Sequence, residues 1–454
     1  MCGIFAIYSK DSKSRNIELL KSGLLRLQHR GNDGYGISGL VDNEIKTYRY
    51  RDNVSTIKNN SNLNTNIFSS CIGHVKYATS GKTLICKDNI KEEQQPLEGY
   101  CLDVGNYTLV HNGNVPNVNI YDTSYINNLI STYDMTMNIN SSINLDISID
   151  PDSSIENKLI HIMNYIPSAY SIVILTADAL YVMRDRFGVR PLCIGKFKNY
   201  YYVSSESYAL EFDTRNKYIR DVEPGEILKI NENGIQTIYK HPEAVKGICS
   251  FELFYFLNEN SYTDSLYVKN IRNELAIKLA NKDNNFYLDN DYIVTGVPNS
   301  GITYGYAYAS HMNFTYKQLI NKNSDISRTF ITITNEERIN KCNKKFIYDE
   351  EIIKDKKIII LDHTIVRGNV MSSIVSNLKK YGAKEIHIRI PSPPVIDICE
   401  LGICIQSKDE LIMTNNTIDD VCKKLNINSL KFLEISDLTM FPKNSYNQCF
   451  YRIS

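Results

Sequence analysis

A cysteine at position 2 becomes a group with two functions once Met1 is removed, because the new terminal α-amine then lies beside the thiol. An α-amine titrates at roughly 7.7–8.0 and can take the thiol proton, directly or through water. One residue would then supply both nucleophile and base. A second-position cysteine also arises by chance, so its meaning depends on what accompanies it. A thiolate attacking an amide builds negative charge on the carbonyl oxygen and needs donors aimed at it. His111-Asn-Gly-Asn114 contains an Asn-Gly pair, which on its own reads more often as a hairpin turn. A second chemistry is suggested by Lys356-Lys-Ile-Ile-Ile-Leu-Asp-His-Thr-Ile-Val-Arg-Gly-Asn-Val370, which reads as a buried strand, a short loop and a helix with Ile374, Leu378 and Tyr381 on one face. A loop at a helix N-terminus offers unpaired amides and the positive dipole end to a phosphate. Strand–loop–helix units are common in parallel sheets, so the loop alone does not identify a site.

The order of motifs narrows the choice. Leu25 to Gly36 reads Leu-Arg-Leu-Gln-His-Arg-Gly-Asn-Asp-Gly-Tyr-Gly, and Gly73-His-Val-Lys-Tyr-Ala-Thr-Ser-Gly81 and His111-Asn-Gly-Asn114 follow at loop-like positions. From Cys2 to about Gly225 the chain resembles the glutaminase domain of the amidophosphoribosyltransferase family. Arg184-Asp-Arg-Phe-Gly-Val-Arg-Pro191, Ser204-Ser-Glu-Ser207 and Asp221-Val-Glu-Pro-Gly-Glu226 extend the match as scaffolding, with an Arg184–Asp185 ion pair expected. Further on, Val297-Pro-Asn-Ser-Gly301 resembles that family's pyrophosphate loop and Ser327-Arg-Thr-Phe-Ile331 its mobile flap. The phosphate loop, Pro391-Ser-Pro-Pro394 and Asp409-Glu-Leu-Ile412 carry the likeness over nearly the whole chain.

The resemblance implies a reaction of glutamine, phosphoribosyl pyrophosphate and water that gives phosphoribosylamine, pyrophosphate and glutamate, the first step of purine synthesis. It implies Cys2 as nucleophile, with the Asn112 side chain and the Gly113 amide as oxyanion donors. Arg30, Lys76 and Asp122 would hold glutamine. Ser300, Gly301, Arg328, Lys344, Lys345, Asp362, His363, Thr364, Arg367, Gly368 and Asn369 would hold phosphoribosyl pyrophosphate. Mg²⁺ would arrive with the pyrophosphate and touch the protein at Asp362, without a dense protein ligand set.

Four departures from the family pattern matter. Lys76 stands where the family has Arg, which keeps the charge, loses the bidentate fork and implies a higher KM for glutamine. The family's Ser-Asp-Thr-Glu is only partly matched by Tyr121-Asp-Thr-Ser124, and Asp134 fits the family spacing better. Asp122 is preferred because Tyr125–Ile130 reads as the helix that should follow. At the sugar site the acidic pair is Asp362-His363, and the pyrophosphate-loop Asp is Asn299. An imidazole cannot supply the second carboxylate's negative charge, which leaves a decayed transferase, a glutaminase or a regulatory ligand-binding homologue, as the alternative reading. Cys249, Cys399 and Cys449 match three of the four cysteines that hold an iron–sulfur cluster in some of the family. Tyr446 stands at the fourth and Cys404 replaces it only by rearrangement, so no cluster is expected.

These groups need a scaffold. Up to about residue 240 the apolar runs are short and β-rich, as in Ile172–Thr176, Ala179–Met183 and Tyr200–Val203, and predict paired antiparallel strands with a few helices. From about Leu266, helical segments alternate with buried strands at Asp291–Thr295, Lys356–Leu361 and Glu385–Arg389, which predicts a parallel sheet. With the resemblance, the expected fold is α/β and α+β: an αββα N-terminal-nucleophile glutaminase sandwich over 1–240, then a type I phosphoribosyltransferase domain with a C-terminal extension over 241–454. At 454 residues, two or three domains fit. Lys+Arg 51 against Asp+Glu 51 gives no net charge, which argues against nucleic acid and anionic membrane as partners. No apolar run approaches the roughly 20 residues that span a bilayer, and the first residues lack a basic leader, so a cytoplasmic location is expected. Eleven scattered cysteines do not resemble a disulfide scaffold. A homo-oligomer is expected.

Overall fold

In the computed structural model, residues 1–9, 16–59, 68–77, 94–116, 118, 120–131, 149–150, 152–212, 217–283, 291–323, 345–399, 401–403, 405 and 407–445 are described. The first half is built on a seven-stranded and a six-stranded sheet. Every strand pairing in both is antiparallel.

The strand Ala169–Leu175 shows how sequence builds these layers. All seven of its residues are buried, yet they face two ways. Val173 and Leu175 join Ile4, Ala6, Ile72, Val110 and Val203 between the sheets. Tyr170, Ile172 and Ile174 pack with Ile126 and Leu159 from the helices Asp122–Ile130 and Ile155–Tyr165. A strand covered on both faces reads as a continuous apolar run, because the period-two alternation changes which layer a side chain enters and not its polarity. On the far side, Leu20 and Leu24 of the helix Asn16–Arg26 cover Phe5, Tyr35 and Val75. The order of layers is helix, sheet, sheet, helix.

The second half carries a five-stranded sheet in the spatial order Thr315–Tyr316, Tyr292–Gly296, Lys357–Leu361, Glu385–Ile390, Ser429–Phe432. All four pairings are parallel. Leu275, Leu279, Tyr304 and Tyr308 from the helices Val268–Asn281 and Ser300–Met312 cover Val294 and Ile359 on one face. Ile374, Leu378, Val421 and Leu425 cover Ile358, Ile360 and Ile388 on the other. The chain leaves Tyr292–Gly296 for the neighbour on one side and then crosses to Lys357–Leu361 on the other. The strand order therefore reverses between these two strands, and the crevice at their carboxyl ends is where such sheets bind ligands.

The halves are joined by packing as well as by chain. Ala169 and Val189 of the sandwich share a core with Ile248, Phe251, Leu275 and Leu361. The last sandwich strand ends at Lys240.

Candidate active sites

Cys2 precedes the strand Gly3–Ser9, in which Ile4 and Ala6 face the inter-sheet space. The same alternation carries Cys2 to that side. On the adjacent strand Cys71–Lys76, Ile72 points inward, and Lys76, four residues on, follows it. Across the gap, Val110 of the strand Gly105–Asn114 points inward and Asn112 falls on the same face. Three side chains thus converge from two sheets. Cys2 Sγ lies 3.9 Å from the Tyr77 carbonyl. The Asn112 Nδ2 donor is buried and has no hydrogen-bond partner among the described residues, which leaves it available to a ligand oxygen. At Gly113 a Cβ would meet the Ala169 carbonyl at 2.0 Å and His111 Nε2 at 2.7 Å, so only glycine fits beside that donor.

The Asn-Gly pair is not a hairpin turn. Asn112 pairs with Ser171 and Gly113 with Tyr170 inside the ladder, where burial of the whole strand overrides the local turn preference. Gly73 to Lys76 likewise lies in a strand and not in a loop.

Lys76 is buried, with Nζ 5.5 Å above the Tyr121 ring. The helix expected over Tyr125–Ile130 is present and begins three residues earlier, with Asp122 as its first residue. Asp122 Oδ1 accepts from Thr123 N at 2.8 Å and its Oδ2 is 3.8 Å from His111 Nδ1. Tyr121 stands between Lys76 and Asp122, and burial, then the charges of Asp122 and Cys2, push its phenol well up. It was missed because its motif was read only for a carboxylate. Burial pushes His74 down to about 3, helped by the charge of Lys76, so this ring is neutral. Met1 precedes Cys2 here, and burial pushes its α-amine down to about 5. Asp134 lies outside the described residues.

Arg30 does not open towards the space beside Cys2. Its side chain is fully buried. Nε donates to the Cys2 carbonyl at 2.9 Å, Nη1 to Glu206 at 2.6 Å and Nη2 to Glu252 at 2.9 Å. The guanidinium therefore fixes the backbone of the candidate nucleophile. Glu252 also meets Arg190 at 3.3 Å, and Glu206 Oε2 accepts from Asn258 N at 2.8 Å and Ser261 Oγ at 2.9 Å. Sequence reading placed Glu206 in scaffolding and overlooked Glu252; a buried arginine requires such carboxylates. Arg184 does not pair with Asp185 but with Asp264 at 3.0 Å, while Asp185 accepts from the Tyr170, Phe187 and Val189 amides. Neighbouring residues at a strand end point apart.

His29 and Arg30 hold the Glu206 carboxyl well below its ordinary value of 4.5 against the cost of burial. A depressed carboxyl adds stability above its unfolded pKa and loses it as pH falls through the folded one. Glu206→Gln is expected to cost about 3–5 kcal/mol at neutral pH, since it leaves Arg30 buried without one partner. The loss should shrink below about pH 4.5, where the unfolded carboxyl protonates. Denaturant titration at both pH values checks this, and an unchanged neutral midpoint would contradict it.

At the sheet crevice, Ser300 and Gly301 open the helix Ser300–Met312. A Cβ on Gly301 would meet the Leu361 carbonyl at 2.3 Å, so a glycine lets the two loops touch. Asp362 follows Leu361. Gly368, at φ 83°, caps the helix Asn369–Lys380, and Asn369 is its first residue. Thr364 Oγ1 is buried at the head of this loop and has no partner among the described residues. Arg367 instead reaches Glu410 at 2.5 Å, both ends part-exposed. Lys345 is exposed beside the strand Phe346–Tyr348, its Nζ 5.2 Å from the Phe346 ring. Arg328, Lys344 and the flap Ser327–Ile331 lie outside the described residues.

No group of three or more His, Cys, Asp or Glu side chains that could hold a metal occurs among the described residues. Cys249 is buried, and burial pushes its thiol up to about 12, with Cys399 near enough to contribute. Cys404, Tyr446 and Cys449 lie outside the described residues. No helix among the described residues is long and apolar enough to cross a membrane.

A space between antiparallel sheets that takes Cys2, Lys76 and Asn112, and a crevice at a parallel-sheet switch point, fit a glutamine amidotransferase joined to a phosphoribosyltransferase. Family profiles agree on both halves: the glutamine amidotransferase domain matches residues 82–212 and the phosphoribosyl transferase domain residues 262–391. Among similar proteins, the amidophosphoribosyltransferase of Archaeoglobus fulgidus is 30% identical over 96% of this chain and 93% of its own length. That of Bacillus subtilis is 29% identical over 96% and 88%. The B. subtilis glutamine phosphoribosylpyrophosphate amidotransferase, solved with ADP and GMP, superposes with a TM-score of 0.83 at 27% identity, covering 99% of this chain and 96% of that one. The chain belongs to the amidophosphoribosyltransferase family.

Proposed function

We propose that this enzyme makes 5-phosphoribosylamine, pyrophosphate and glutamate from glutamine, phosphoribosyl pyrophosphate and water, with residues 1–240 as glutaminase and 241–454 as transferase. The observation that carries the reading is the presence in one chain of two buried, unpartnered polar groups at the two expected places: Asn112 Nδ2 on the face shared with Cys2, and Thr364 Oγ1 in the phosphate loop.

At the first site the Cys2 thiolate attacks the glutamine amide, and Asn112 Nδ2 and the Gly113 N–H receive the developing oxyanion. The α-amine freed by removal of Met1 takes the thiol proton and returns it to the nitrogen as the C–N bond breaks, so that the thioester forms and ammonia leaves; water then releases glutamate. Lys76 meets the glutamine α-carboxylate and Asp122 its α-ammonium. Arg30 acts through the Cys2 carbonyl. Lys76→Arg is expected to lower the KM for glutamine by roughly 3–10-fold with little change in kcat, since a fork replaces a point charge. A KM that stays the same or rises would remove Lys76 from the carboxylate.

At the second site the amides of the loop 364–369, with the helix behind them, hold the 5-phosphate, and Ser300 and Gly301 meet the pyrophosphate. Arg328, Lys344 and Lys345 would add positive charge at the leaving group. Ammonia bonds to the anomeric carbon as the C–O bond to pyrophosphate breaks, and the departing group takes that electron pair. Asp362 would meet Mg²⁺ only through the substrate, whose own oxygens would supply the ion's ligands beside water. That ion would neutralise charge on the leaving pyrophosphate. A cytoplasmic, homo-oligomeric enzyme without an iron–sulfur cluster completes the proposal; gel filtration and iron analysis check the last two points.

Pyrophosphate release from phosphoribosyl pyrophosphate, measured first with ammonium and then with glutamine, tests the reading. Release with both is expected. Release with neither would refute it.

A further inference from the structure

We propose that His363 and Asp362 form a composite acceptor for the two ribose hydroxyls, with Tyr255 as the shelf that holds the imidazole in place. This rests on the reading of the loop 362–369 as the phosphoribosyl pyrophosphate site.

Asp362 Oδ1 accepts from the His363 backbone N–H at 2.8 Å and lies 2.7 Å from His363 Nδ1. Ser300 Oγ is 2.8 Å from the same Nδ1. A carboxylate can only accept, so the hydrogen resides on Nδ1. In the neutral ring this leaves the lone pair on Nε2. Ser300 shares the Nδ1 hydrogen as an acceptor and keeps its own hydrogen for an anionic substrate oxygen.

Asp362 Oδ2 and His363 Nε2 have no hydrogen-bond partner among the described residues. Two adjacent carboxylates would offer two acceptors to two hydroxyls, and this pair offers the same number, one oxygen and one nitrogen. One negative charge is lost; the hydrogen-bond pattern is not. The sugar site is therefore altered in charge and intact in recognition, which corrects the expectation of a decayed transferase drawn from the residue type alone.

The tautomer also needs a fixed ring plane. Tyr255 provides it, with its ring 4.0 Å from the imidazole and 9° from parallel. Tyr255 lies on the short helical segment Glu252–Phe256, which Arg30 and Arg190 hold through Glu252, so the shelf is anchored from the other half of the molecule. Tyr255 is a positioning residue and acts through His363.

The test uses the full chain with ammonium as nitrogen source, reading kcat and KM for phosphoribosyl pyrophosphate. His363→Ala should lose roughly tenfold in kcat/KM, the size of one hydrogen bond to substrate. His363→Asp, which puts another acceptor in the same place, should recover most of what His363→Ala loses. Tyr255→Phe should keep the activity, and Tyr255→Leu should fall towards His363→Ala. Imidazole ¹⁵N spectra, assigned through His363→Ala, should show Nδ1 protonated and the Nε2 resonance moving when phosphoribosyl pyrophosphate is added. Full activity of His363→Ala, a tenfold gain from His363→Asp, or an Nε2-protonated ring would overturn the proposal. Equal activity of Tyr255→Leu and the unmodified enzyme would overturn the shelf. If the unmodified enzyme releases no pyrophosphate with ammonium, the site reading itself falls, an outcome distinct from the others.

Discussion

Cys2→Ala is expected to reduce glutamine-dependent pyrophosphate release by at least roughly 10⁴-fold, the scale of removing a covalent nucleophile, while ammonium-dependent release persists. The asymmetry follows from the fold. Cys2 belongs to the space between the two antiparallel sheets, whereas the phosphate loop lies at the carboxyl edge of a separate parallel sheet. Truncating the thiol leaves the Cys2 carbonyl in place to accept from Arg30, so the charged cluster beneath it survives. Parallel assays with glutamine and ammonium check this. Continued glutamine hydrolysis in the variant would show that another group is the nucleophile.

The second large effect is expected at Asn112. Asn112→Ala removes a buried donor that no acceptor among the described residues uses, so the fold loses no hydrogen bond there. Removing one oxyanion donor costs roughly 10²–10³ in kcat, about 2.7–4 kcal/mol of transition-state stabilisation. The KM for glutamine should move little, because the donor acts on charge that develops after binding. Glutaminase kinetics at saturating phosphoribosyl pyrophosphate check it. A fall confined to KM would mean that Asn112 binds ground-state glutamine instead.

The two halves were legible to different depths. The strands around Ile172, Tyr200, Ile293 and Ile359 were visible as largely apolar runs because they are buried on both faces, and the strand around Ile386 as isoleucines alternating with His387 and Arg389. The change to alternating helices and strands announced the parallel sheet for the same reason. What the sequence misplaced was local: Asn112-Gly113 reads as a turn, and only the ladder to Ser171 and Tyr170 shows it to be a strand.

The partners of Arg30 could not be read, since Glu206 and Glu252 are 176 and 222 residues away. Long-range carboxylates have no periodic signature. Nor could the fate of His363. Residue type alone suggested a lost carboxylate, whereas its meaning depends on Ser300, Asp362 and Tyr255, which meet only in three dimensions. The alternative of a glutaminase or regulatory homologue rested on that substitution together with Asn299 and Lys76, and the near full-length match to amidophosphoribosyltransferases supports the enzyme instead.

The central claim is that one chain couples glutamine hydrolysis to transfer at the sugar, and the ratio of glutamate to pyrophosphate released by the unmodified enzyme tests it most directly. With glutamine, phosphoribosyl pyrophosphate and Mg²⁺ all present, the two products should appear at about one to one, since each amide nitrogen displaces one pyrophosphate. Glutamate released at the same rate without any pyrophosphate would contradict the account.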